Sequence, residues 1–152
     1  MTIDDLKQYY DSLSDAEKDE LESDGAFLES PPVEMGYDSD PNNYLAFMNT
    51  GGDGVHYSLP KGMKDGKVIM TVPMNFGNEN MVVGESLFEF LSLGCDFGYF
   101  CLEQLTYDFN DTIQEIHNAQ QGPGALKRFK VHFNLTPWPD IEARLRELNA
   151  KA

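Results

Sequence analysis

Two short apolar runs joined by a charged turn constrain this chain more than any other feature. Gly54–Pro60 alternates, with Val55, Tyr57 and Leu59 on one side and His56 and Ser58 on the other. That period of two is the signature of a strand with one buried face, and it places His56 on the solvent side. Lys61–Lys67 follows as a turn, with Asp65-Gly66 as the hairpin signal. Lys67–Pro73 returns as a strand rich in β-branched residues. A β-hairpin over Val55–Pro73 is therefore expected. Phe76–Asn80 reads as a polar loop, Met81–Val83 as a third short strand, and Glu85–Leu93 as a helix stopped by Gly94.

The segments on either side read as helical. Thr2 caps a helix carrying Ile3, Leu6, Tyr9, Tyr10 and Leu13 at helical spacing, with Asp5 in its acidic first turn. Ser14 and Glu17 form a capping box for a second helix that ends near Gly25. Pro31-Pro32 is expected to break the chain, with a loop or short turn over Val33–Tyr37. Asp40-Pro41 has the form of a helix start. Tyr44, Leu45, Phe47 and Met48 supply an apolar stripe, and Gly51-Gly52 a stop. Phe97–Leu105 suits a buried strand or a helix. Asp111–Asn118 reads as a helix capped by Asn110 or Asp111. Leu126–Leu135 fits either period, with helix preferred. Pro137-Trp138-Pro139-Asp140 opens a last helix, which Trp138 anchors to the body. The whole is one α+β domain, a small antiparallel or mixed sheet with flanking helices.

Composition narrows the partners. Ten Phe and seven Tyr are too many for a disordered chain. The net charge is −15, and 14 of the 26 acids lie in the first sixty residues beside two lysines. Such a surface repels nucleic acid, whose phosphates need Lys/Arg neutralisation, and steers basic proteins inward. No apolar run reaches the ~18 residues of a membrane span. The polar, acidic start at Met1–Asp5 is no secretory leader. A cytoplasmic protein with reduced thiols is the expectation.

The chemistry-bearing residues form no familiar constellation. Asp38, Asp40 and Asn42 imitate the opening of a calcium loop, but Asn43 stands where glycine belongs and Asn49 where the closing glutamate belongs. Helix capping accounts for these residues without a metal, and no cofactor is expected. Cys95 and Cys101 are spaced C-x5-C, unlike zinc or redox motifs, and read as apolar fillers. Gly51-Gly52-Asp53-Gly54 sits between helix and strand, the reverse of a phosphate-cradling loop. His56, beside this acidic turn, is the best single candidate for a site residue. Lys127, Arg128 and Lys130 make a small basic patch suited to pairing with the acidic N-terminal half.

The middle of the chain resembles the SUKH superfamily, the group of the yeast cell-wall assembly regulator and many bacterial toxin-immunity proteins. The residues that carry the likeness are Tyr44-Leu45-Ala46-Phe47, the turn Gly51-Gly52-Asp53-Gly54, and Glu85-Ser86-Leu87-Phe88-Glu89-Phe90-Leu91. The likeness spans about Asp40–Leu93. Asp40-Pro41 stands where the family has Leu-Pro, and the chain from Phe97 onward has no counterpart. The resemblance implies a non-enzymatic immunity-type domain that binds and neutralises a basic toxin protein. The surface would draw on the N-terminal acids with Asp38, Asp40, Asp53, His56 and Glu79. A different class of function is a small metabolite-binding domain or hydrolase-like enzyme. It would have His56 as acid/base in a pocket lined by Tyr57, Phe76 and Tyr99. A regulatory adaptor with no toxin partner is a third.

Overall fold

Five strands, β1 (Phe27–Val33), β2 (Tyr44–Asn49), β3 (His56–Pro60), β4 (Val68–Thr71) and β5 (Asn80–Gly84), pair in sequence order as an antiparallel meander. The structure is a computed structural model that describes residues 1–150. Before the sheet come α1 (Ile3–Asp11) and α2 (Asp15–Ser23). After it come α3 (Leu87–Leu93), a 3-10 helix at Cys101–Thr106, α4 (Phe109–Asn118), α5 (Ala125–Phe133) and α6 (Ile141–Leu148). The fold is a small α+β domain, as expected. The β3–β4 hairpin, the later strand at Met81–Val83 and the helix closed by Gly94 are all present. Both N-terminal helices carry reciprocal capping boxes, Thr2 with Asp5 and Ser14 with Glu17.

Register sorts the sheet into two kinds of row. Met48, Tyr57, Met70 and Met81 stand opposite one another on β2, β3, β4 and β5, and the first three are wholly buried. This row faces the helices. The neighbouring row, Asn49, His56, Thr71 and Asn80, is polar and faces the other way. The core is one continuous cluster from Leu6 to Leu145. Through it runs a chain of buried hydroxyls. Tyr57 Oη donates to the Tyr99 carbonyl at 2.6 Å, and Tyr99 Oη donates to the Leu91 carbonyl at 2.6 Å. Burial pushes both phenols well above the usual tyrosine range, so they remain neutral donors.

Several expectations give way to the tertiary structure. The helix expected from Asp40-Pro41 is instead a turn followed by β2. Asn43 takes a left-handed φ of 63°, which ends any helix there. The apolar stripe Tyr44, Leu45, Phe47 and Met48 fits a helix only by coincidence. A bulge between Ala46 and Met48 buries Phe47 and Met48 consecutively, which a regular strand does not do. Pro31-Pro32 does not break the chain, since β1 runs through both. β1 lies at the sheet edge, where a missing N–H is tolerated, and its register shifts between Leu28 and Val33. Phe97–Leu105 is no strand; its second half is the 3-10 helix. The helix expected at Asp111 begins earlier, at Phe109, behind Asp108. Cys95 is a buried filler, its thiol pushed by burial up to about 11, but Cys101 is exposed.

The remaining contacts close the helices onto the sheet. Trp138 does anchor α6: its indole N–H donates to the Glu89 carbonyl at 2.9 Å. Arg144 of α6 grips the Glu89 carboxylate with two donors, at 3.0 and 3.2 Å. Asn149 closes the exposed edge of β5, accepting from Val82 N and donating to Val82 O. Arg128 pairs with Glu17 and Glu20 of α2 as expected of the basic patch, whereas Lys130 pairs with Asp96. No helix among the described residues is long and apolar enough to cross a membrane.

Two outcomes follow. Tyr57→Phe leaves the Tyr99 carbonyl without its donor in a dry core, and urea denaturation is expected to show a loss of about 1–3 kcal/mol. Unchanged stability would mean that the hydroxyl chain contributes nothing. The second concerns Glu89. Burial opposes its charge, but Arg144 and the Glu85 amide more than offset this and hold its carboxyl below the usual glutamate range. The unfolded chain therefore binds a proton first as pH falls. The pair's contribution is complete above the unfolded value of about 4.3 and is lost as pH drops through the folded one. Arg144→Ala should cost about 1 kcal/mol at neutral pH. Its deficit against the parent should shrink in acid; a deficit independent of pH excludes this origin.

Candidate functional site

The polar face of the sheet would lie open to water if the connection from β1 to β2 took a short path. Instead residues 34–43 fold back over it as a strap. Tyr37 and Asp40 form its tight turn: Asp40 N donates to Tyr37 O at 3.0 Å, and Tyr37 N donates to Asp40 Oδ2 at 3.2 Å. Asn80 pins the middle of the strap, its Nδ2 donating to Ser39 O at 2.8 Å while Thr71 Oγ1 donates to its Oδ1. A side chain on Gly54 would collide with the Tyr37 hydroxyl, so the glycine turn also makes room for the strap.

His56 sits beneath. It was expected on the solvent side of its strand, and it does point away from the core, but it is only 1% exposed because the strap covers it. Its Nδ1 lies 2.7 Å from the Gly54 carbonyl, and its Nε2 lies 3.0 Å from Asp40 Oδ1. Tyr37 stacks on the ring at 5.8 Å between centroids and 19° between planes. Both ring nitrogens thus face oxygen atoms. Asp40 Oδ1 is buried and makes no aligned hydrogen bond among the described residues, and His56 Nε2 lies close beside it. Together these contacts hold the strap against β3. A general acid/base needs a ring nitrogen within reach of substrate, and neither nitrogen of His56 is free.

The pocket expected between Tyr57, Phe76 and Tyr99 does not exist. Tyr57 and Tyr99 are wholly buried in the core on the opposite side of the sheet from His56, while Phe76 is 83% exposed. Alternation along one strand cannot reveal that a residue two loops away has been left outside.

Of the five expected partner-binding residues, the strap gathers four. Asp38 and Glu79 line a surface hollow of about 480 Å³ together with Tyr37, Ser39, Pro73 and Phe76. Asp40 and His56 lie just behind, holding the strap. Asp53 is elsewhere, exposed at the tip of the β2–β3 turn, where its charge adds to burial in raising the Glu103 carboxyl. Among the described residues no group of three His, Cys, Asp or Glu side chains is placed to share a metal ion.

Comparison with protein-family models, curated proteins and solved structures finds no match for this chain.

The bracing of the loop after β4 has no counterpart in the sequence reading, which gives Phe76–Asn80 only as a polar loop. Asn75 and Asn78 both donate to the Thr106 carbonyl, at 3.0 and 3.2 Å. A single Phe within Asn75–Asn80, a run otherwise of Gly, Asn and Glu, is the signal that was there to be read.

Asp40→Ala removes the carboxylate that faces His56 Nε2 beneath the strap. The expected cost is about 1–3 kcal/mol, with faster hydrogen exchange at the Asp40 amide. Asp40→Asn, which can donate to a neutral ring nitrogen, should cost less. Equal stability of all three proteins would exclude the pair as the strap's anchor.

Proposed function

We propose that this chain is a non-enzymatic protein-binding domain that presents an acidic surface to a basic protein, in the manner of an immunity protein that neutralises a toxin. The observation that carries the proposal is the pair of carboxylates Asp38 and Glu79 set around an exposed phenylalanine on a chain of net charge −15. Neither carboxylate has an ion-pair partner among the described residues. Interfaces are driven by a few buried aromatic anchors, with rim charges steering encounter. The resemblance to the SUKH superfamily supplies the toxin-neutralising context. The capture of both His56 nitrogens by structural partners favours binding over catalysis.

The test uses the full chain immobilised and exposed to host lysate at low and then high salt, followed by binding kinetics with any recovered protein. Reversing Asp38, Asp53 and Glu79 to lysine should slow association about ten- to a hundredfold and flatten its salt dependence. A captured protein that is itself acidic, or an association rate indifferent to the three reversals, would sink the proposal.

A further inference from the structure

Phe76 is 83% exposed, more than any other large hydrophobic residue among those described. Single exposed apolar residues are common and need no explanation. This one differs because its loop is braced. Val72 N donates to Glu79 O at 2.7 Å, closing the base of the loop. Asn75 N donates to Val72 O at 3.1 Å and Asn78 N to Asn75 O at 3.0 Å, forming successive turns. The two asparagine amides then fasten the loop to Thr106, and the Glu79 carboxylate accepts from Gly77 N. The ring is therefore held outward on a backbone with little freedom left to lose on binding. Met74, 60% exposed, lies on the same loop.

The surroundings define what the ring would meet. Tyr37, 40% exposed, lies across the hollow on a strap fixed to His56 and Asn80. Asp38 and Glu79 add two negative charges to the same rim. Aromatic faces beside carboxylates suit a guanidinium. Its plane stacks on rings, its fork matches carboxylates, and it sheds water more readily than an ammonium does. We propose that the hollow between the strap and the Phe76 loop seats an arginine side chain of the basic protein partner, with Phe76 and Tyr37 as its walls and Asp38 and Glu79 as its counter-charges. This rests on the protein-binding function above and adds the site and the anchoring residue type.

The experiment is an NMR titration of the labelled full chain with N-acetyl-arginine methylamide, and in parallel with its citrulline counterpart, which keeps the shape and lacks the charge. Shifts confined to Tyr37, Asp38, Phe76 and Glu79, seen with arginine and absent with citrulline, are the expected result. Binding by Phe76→Ala and by Asp38→Asn should each be weakened roughly fivefold or more. Both side chains are exposed, so these variants are expected to keep the parent spectrum elsewhere. Shifts scattered over the acidic helices, equal response to citrulline, or full binding by Phe76→Ala would each overturn the proposal. The titration is independent of any natural partner. A positive titration with no basic protein captured from lysate would refute the protein-binding function and leave the site standing. A captured basic protein whose affinity survives Phe76→Ala would do the reverse.

Discussion

The buried tyrosine chain is what the two halves of the fold share. Tyr57 comes from the middle of the sheet, Tyr99 from the segment after α3, and Leu91 from α3 itself. Each hydroxyl ends on a backbone carbonyl that would otherwise be stranded in the core. A buried carbonyl without a donor is costly, so these contacts specify one mutual placement of sheet and helices. Phe90 sits among the three elements, 4.5 Å from the Tyr57 ring and 5.5 Å from Tyr99. Hydrophobic burial supplies most of the driving force, and the directional bonds select the arrangement.

On the other side of the sheet the constraint is a set of polar contacts. A meander of five strands exposes its second face unless something covers it. Here the cover is the strap of residues 34–43, too short and polar to bury an apolar core of its own. It is held by a hydrogen bond from Asn80 to Ser39 and by a histidine whose two nitrogens face Gly54 and Asp40. The same device that closes the sheet sets the position of Tyr37 and Asp38, so structural and surface roles meet in one short segment.

Much of the local architecture was legible in the sequence because its causes are local. The N-cap at Thr2, the capping box at Ser14, the hairpin over Val55–Pro73, the Gly94 stop and the role of Trp138 all rest on neighbouring residues. Segment 40–49 was misread because two periods fit it equally. A bulge in a strand and a stripe on a helix both bury adjacent Phe47 and Met48. Only the ladder to β3 distinguishes them, and that ladder is a contact between separate segments. Pro31-Pro32 was misread for a related reason, since edge position is a property of the assembled sheet.

The grouping of Asp38, Asp40, His56 and Glu79 was only partly readable. Their types and their closeness to the loops are visible in the sequence, but local pattern alone places Asp40 at a helix cap and His56 on the solvent side. By itself the sequence determined the β3–β4 hairpin and the helix caps at Thr2, Ser14 and Asp140, because each follows from residues within a turn or two of one another, and composition alone set the excess of negative charge. Tertiary structure alone decided that His56 is buried under a strap, that Tyr57 and Tyr99 are core rather than pocket, and that Phe76 remains outside. Those outcomes depend on which distant segment covers which face, and that is settled by packing and hydrogen-bond partners far along the chain.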